Sequence, residues 1–180
     1  MFILTNPFFW AFVGMFGLLV GVAFLSGTKL GKNAILGSIT IMVCDFSRII
    51  LVLPFCPQPR FEIGIWNWII GGIFIIGACF FAVPAMSIDW RRAPDSQTIL
   101  KTNGIYNVVR NPIYLGDLLF SLGIAVMFRS IIGVALIPIW WIAHLAIVLT
   151  EESSLERALG QRYLNYKQQV KGRIIPGLPV

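Results

Sequence analysis

Residues Ile113 to Leu149 read IYLGDLLFSLGIAVMF-RS-IIGVALIPIWWIAHLAIVL, two apolar runs separated only by Arg129 and Ser130. So short a connection is that of two antiparallel neighbouring helices, so the pair is expected to form a tight helical hairpin. Runs of this kind suit a hydrocarbon core about 30 Å thick. A backbone in lipid must satisfy its own hydrogen bonds, and a helix does so within one segment. The first run would extend about 24 Å as a helix, so it is expected to stop a little short of the far surface.

Three further apolar blocks lie upstream: Phe8–Leu25, Ala34–Phe55 and Ile65–Met86. The chain has 180 residues, 57% of them hydrophobic and only 12% charged, against about 25% charged in a soluble domain. The expected fold is therefore an all-α membrane protein with five transmembrane helices, the fourth and fifth forming the hairpin. One domain is expected over 1–180, with a three-span part at 1–86 and a loop, hairpin and tail at 87–180. No positive residue precedes the first block and no small-residue cleavage site follows it, so it is expected to remain as an anchor.

Charge orients this bundle. Lys29, Lys32, Arg91, Arg92, Lys101, Arg110, Arg157, Arg162, Lys167, Lys171 and Arg173 fall on one side of a five-span arrangement, against Arg60 and Arg129 on the other. The positive-inside rule then puts the N-terminus outside and the tail in the cytoplasm. The net charge of +6 is a topology signal beside an anionic leaflet, so no nucleic-acid partner is expected. Cys44, Cys56 and Cys79 are scattered without metal-ligand spacing, and they read as small packing residues with no metal site implied.

Ionisable groups inside a span cost about 2.5–3.5 kcal/mol each at mid-helix, so each requires a reason. Asp45 and Arg48 are three residues apart on the second helix and can pair along one face. The loop Ser87–Asn111 is punctuated by Pro94, Asp95 and Ser96, and Asn103-Gly104 signals a turn. Pro112 suits the first turn of the fourth helix with Asn111 as its cap. From that cap Asn111, Tyr114, Asp117 and Ser121 form one polar stripe on an apolar helix. On the fifth helix His144 and Glu151 share a face, and Glu152 adjoins. Two acids at the end of that apolar run oppose the local basic bias and a helix C-terminal dipole, so a cation should compensate them, supplied by nearby Arg or Lys or by a ligand. The tail positions Leu155, Leu159, Tyr163, Tyr166 and Val170 keep a helical period. They are expected to form a C-terminal interfacial amphipathic helix whose tyrosines belong to the membrane belt.

Two blocks of this chain together resemble the isoprenylcysteine carboxyl methyltransferase and phospholipid methyltransferase superfamily of integral membrane enzymes. The first block carries Gly104, Tyr106, Arg110, Asn111, Pro112, Tyr114 and Gly116. The second carries Glu151 and Glu152, followed by Gly160, Tyr163, Tyr166 and Pro176. The resemblance implies S-adenosylmethionine as methyl donor, bound where the fourth and fifth helices meet the cytoplasmic loop. It implies cofactor contacts at Gly104, Ile105, Tyr106, Arg110, Asn111, Pro112, Tyr114, Gly116, Glu151 and Glu152. The donor's sulfonium and amino group would offset the glutamates, and its adenosine would meet Asn111, Tyr114 and the backbone around Ile105 and Tyr106. The cofactor carries the reactive methyl, so the protein chiefly aligns two partners and excludes water. Asp117 and His144 are the catalytic candidates, placed to take a proton from the acceptor or orient it. The acceptor is expected to be lipid-like and to enter from the bilayer, as a phospholipid amine or a prenylated or otherwise hydrophobic small molecule.

Asn111 stands where the carboxyl methyltransferases have His, as in phospholipid N-methyltransferases. The residues Ala146–Leu149 before the acidic pair lack the Arg those carboxyl enzymes carry there. Membrane sterol reductases end similarly, and Tyr114-Leu115-Gly116-Asp117 fits their nicotinamide motif. Their segment after the hairpin is Arg-rich, which suits the NADPH phosphate, whereas Glu151-Glu152 would repel it. A non-catalytic membrane scaffold is the third reading.

Overall fold

The computed structural model describes residues 3–25, 34–87 and 100–179. Lys29, Lys32, Arg91 and Arg92, with the turn residues Pro94, Asp95 and Ser96, lie outside the described residues. The described chain is helical: α1 (Pro7–Leu25), α2 (Ala34–Val52), α3 (Trp66–Ser87), a 3₁₀ turn (Gly104–Asn107), α4 (Pro112–Met127), α5 (Ile131–Ala135), α6 (Ile137–Leu159) and α7 (Gln161–Gln169). Among the described residues there is no strand, only a single bridge between Arg60 and Ser130.

Among the described residues, three stretches are long and apolar enough to cross a membrane: Ile35–Val52, Trp66–Met86 and Ile131–Leu159. The apolar stretches Pro7–Gly21 and Pro112–Met127 are shorter. Large side chains such as Phe12 and Phe16 on α1, Met42 and Phe46 on α2, and Ile76 and Phe80 on α3 are exposed. Such a surface is favourable in lipid and costly in water. The protein is an integral membrane protein.

Proline accounts for two helix ends, and at the first of them α2 stops at Val52, short of the expected Phe55. α2 stops two residues before Pro54, where the residue preceding a proline disfavours helical backbone. α4 opens on Pro112, whose missing N–H would have had no helical partner at that position. The fifth apolar run differs from the expectation of one helix. It divides into α5 and α6, because Pro138 has no N–H for the Val134 carbonyl and its ring crowds that oxygen.

α6 also continues well past the apolar run. The hydroxyls of Thr150, Ser153 and Ser154 donate to the carbonyls of Ala146, Leu149 and Thr150 at 3.0, 2.8 and 3.0 Å. Glu151 and Glu152 therefore stand within a helix, not at its C-terminus, and a helix dipole does not set their environment.

The chain divides into two compact units, residues 1–73 with 121–140, and residues 74–120 with 141–180. In the first, α1 packs on α2, and a Cβ at Gly17 would lie 2.9 Å from the Thr40 carbonyl oxygen. A small residue is what lets these backbones approach. Arg48 pairs with Asp45, donates to Ser121 Oγ at 2.8 Å and lies over the Trp140 ring, so the polar residues of that span meet one another. Arg60 donates to the terminal carbonyls of two helices, at Leu53 (2.8 Å) beyond α2 and at Phe128 beyond α4. Ser130 caps α5 by accepting from Gly133 N at 2.8 Å. These bonds occupy carbonyl and amide groups that helix ends leave unpaired.

The second unit holds the end of α3, the first half of α4, most of α6, α7 and the tail. Here α4 lies against α3 at Gly116, where a Cβ would sit 2.8 Å from Ala82 Cβ and 3.0 Å from the Ala78 carbonyl oxygen.

Candidate functional site

The site residues named from sequence fall in the second unit, at the end of α4 that begins with Pro112. The 3₁₀ turn enters through Gly104, whose φ of +63° is open to glycine at little cost. Ile105 is buried, and Tyr106 is half-buried with Lys101 Nζ 6.0 Å from its ring centroid. Asn111 then precedes α4, and its carbonyl accepts from Leu115 N at 3.4 Å. Its side-chain amide donates to Glu152 Oε1 at 3.2 Å and to the Arg173 carbonyl at 3.1 Å.

The two glutamates part company. Glu152 is buried, and its side chain is 4% exposed. Arg110 Nε reaches its Oε1 at 2.8 Å and Arg173 Nε its Oε2 at 3.1 Å. Arg110 also donates to the carbonyls of Val170 at 2.6 Å and Lys171 at 3.0 Å. A carboxylate withdrawn from water this far is tolerable only with charged partners and filled lone pairs, and Glu152 has both. Glu151 is exposed and accepts from the Tyr114 hydroxyl at 2.7 Å. Among the described residues, no arginine or lysine pairs with it. Of the two compensating sources left open by the sequence, internal arginines serve Glu152, while Glu151 has a neutral donor.

One turn along α4 from Tyr114, Asp117 Oδ2 meets His144 Nε2 of α6 at 2.8 Å, with the histidine side chain 3% exposed. The Tyr114 and His144 rings stand edge to face, 5.5 Å between centroids. Glu151, Tyr114, His144 and Asp117 thus form a continuous row across two antiparallel helices. Such a row can hold a proton at its buried end and a cation at its exposed end.

The tail closes over this end of α4. Arg110 N donates to the Gly172 carbonyl at 2.9 Å and Asn111 N to that of Arg173 at 3.0 Å. A Cβ at Gly172 would meet Gly177 N at 2.8 Å, so the fold of the tail on itself requires glycine there. The tyrosines of α7 depart from the expected membrane belt. Gly160 (φ +53°) breaks the helical run, and Tyr163 and Tyr166 are 2% and 5% exposed, packed with Val170 against Leu100, Leu155 and Leu159. The apolar face of α7 is covered by the protein's own side chains.

Tyr166 donates to the Tyr106 carbonyl at 2.8 Å, and burial is the main cause pushing its phenol up to about 12. Burial first, then the Glu151 charge, raises the Tyr106 phenol.

Of the residues the sequence named, Glu151, Tyr114, Asp117 and His144 share one row, with Asn111 beside it. Arg110 and Glu152 bond each other and the tail. Pro112 is buried at the start of α4, and Gly116 faces α3. Arg173 and Gly172 escaped sequence reasoning. A lone basic residue in a basic tail carries no spacing that separates it from the topology signal.

A curated relative, protein-S-isoprenylcysteine O-methyltransferase B of Arabidopsis thaliana, is 33% identical over 72 residues, which are 39% of this chain and 36% of that protein. The match thus spans about a third of the relative's length. No solved structure matches the chain. The family model for phospholipid methyltransferase matches residues 49–162, from the end of α2 into α7 and through the whole row of polar side chains. On that match, which covers more than half of its length, the chain belongs to the phospholipid methyltransferase family.

Proposed function

We propose that the protein is an S-adenosylmethionine-dependent membrane methyltransferase acting on a lipid-like acceptor. The observation that carries this reading is Glu151, an exposed carboxylate aimed by the neutral Tyr114 hydroxyl at 2.7 Å and paired with no arginine or lysine among the described residues. That donor set fits a cationic ligand and disfavours a phosphorylated one. When bound, S-adenosylmethionine would supply a methyl group on a sulfonium centre, transferred to a nucleophile as the carbon–sulfur bond breaks and the neutral thioether leaves.

The protein's own residues then have separate tasks. Glu151 faces the ligand's positive groups, and Tyr114 fixes the carboxylate's direction. Asn111 and the backbone at Gly104, Ile105 and Tyr106 flank the adenosine, and Pro112 sets the start of the helix that presents them. Asp117 holds the His144 ring by the bond to Nε2, and the buried pair takes the acceptor's proton or orients its nucleophile. Displacement requires an unprotonated nucleophile about 3–3.5 Å from the methyl carbon and in line with its bond to sulfur.

The full arrangement belongs to the same proposal. α1, α2, α3, α4 and the α5–α6 pair are five spans of one domain over 1–180, with the N-terminus outside and the site and tail in the cytoplasm. The asymmetry of basic residues supports this orientation. The acceptor enters sideways from the bilayer. Calorimetry with S-adenosylhomocysteine and NADPH on the purified protein tests the reading. Binding of the first alone is expected; binding of NADPH instead would make the protein reductase-like, and binding of neither would favour a scaffold.

A further inference from the structure

We infer that Glu152 is a positioning residue and not a ligand group: it clasps the 170–178 segment across the start of α4 and so sets Asn111 and Tyr114 against Glu151. The inference rests on the proposed role of Glu151 and separates the two adjacent acids. Both oxygens of Glu152 are engaged, Oε1 by Arg110 Nε at 2.8 Å and Asn111 Nδ2 at 3.2 Å, and Oε2 by Arg173 Nε at 3.1 Å. Arg110 and Asn111 come from the start of α4, and Arg173 comes from the tail. The same stretches are joined through the backbone, Arg110 N to the Gly172 carbonyl at 2.9 Å and Asn111 N to that of Arg173 at 3.0 Å. Glu152 is the charge on which these links converge, and its side chain is 4% exposed, which leaves little of it for a ligand. Neighbours on a helix point about 100° apart, so one acid can serve the clasp while the other faces outward.

The test uses the full chain in nanodiscs as wild type, Glu152→Gln, Arg173→Gln, Arg173→Lys, the Glu152→Gln/Arg173→Gln double variant and Glu151→Gln. Two quantities are read: amide exchange over 170–178, and affinity for S-adenosylhomocysteine. Glu152→Gln and Arg173→Gln should both speed exchange there and weaken binding by a similar factor, about tenfold. The double variant should be no weaker than the poorer single one, and Arg173→Lys should recover part of both quantities. Glu151→Gln should weaken binding with tail exchange unchanged. Wild-type affinity in Arg173→Gln beside a large loss in Glu152→Gln would make Glu152 a direct ligand group and overturn the inference. Wild-type exchange in Glu152→Gln would overturn it too. If wild type binds no S-adenosylhomocysteine, the cofactor reading fails while the exchange arm still decides the clasp. If Glu152→Gln does not fold, the two Arg173 variants carry the comparison.

Discussion

His144 Nε2 lies 2.8 Å from Asp117 Oδ2, although the two residues belong to different helices and only Asp117 is partly open, at 23% side-chain exposure against 3% for the histidine. The bond fixes the imidazole plane, and the adjacent Tyr114 ring stands edge-on to it. A histidine that served packing alone could be replaced by a residue of similar size without changing the chemistry. One that moves a proton could not.

Asp117→Asn and His144→Ala are therefore expected to lower turnover by about a hundredfold, the lower end for general acid–base groups. Affinity for S-adenosylhomocysteine should stay unchanged, because neither side chain is assigned to the donor. Turnover measured beside calorimetry separates the two effects. Full turnover in both variants would remove the pair from the reaction.

Gly116 gives a stability prediction in the same unit. Its Cβ would stand 2.8 Å from Ala82 Cβ and 3.0 Å from the Ala78 carbonyl oxygen, so Gly116→Val must push α4 away from α3. Overpacking of this kind costs about 1–3 kcal/mol. Thermal unfolding in one fixed detergent should show a lower midpoint for Gly116→Val than for wild type. An unchanged midpoint would mean that α3 yields without cost.

The hairpin and the opening of α4 at Pro112 were legible in the sequence because proline and apolar run length act locally, whereas the second apolar block reads on to Phe55 and α2 ends at Val52. The separate fates of Glu151 and Glu152 were not legible. Side by side in sequence they read as one acidic pair needing one compensating charge, and only the fold, which brings Arg110 and the tail's Arg173 onto Glu152, reveals that one acid is already satisfied. Tyr163 and Tyr166 misled for a related reason. An amphipathic period shows that a face is apolar, but it does not say whether lipid or the protein's own Leu100, Leu155 and Leu159 will cover it. Of the residues that decide the orientation, Lys101, Arg110 and the tail are described, while Lys29, Lys32, Arg91 and Arg92 lie outside the described residues.

Orientation is open to direct labelling. Single cysteines introduced beside Arg60, Lys101 or Lys171 should divide when an impermeant reagent is applied to intact cells. The first should react, and the other two should react only after lysis. Labelling of the tail from outside would reverse the five-span arrangement and remove the site from the cytoplasm.

The central claim is that Glu151, directed by Tyr114, holds a methyl donor beside a lipid-like acceptor, and one measurement addresses it most directly. Wild type, Tyr114→Phe and Glu151→Gln are reconstituted with S-adenosylmethionine labelled on its methyl group, and label is counted in the extracted lipid fraction. Wild type should transfer label into lipid. Glu151→Gln should bind the donor less tightly by about 1.5–3 kcal/mol, the scale of a charge-assisted hydrogen bond, and Tyr114→Phe by about 0.5–1.5 kcal/mol, the scale of a neutral one. Label found only in water-soluble products, or full transfer by Glu151→Gln at limiting donor, would contradict the account.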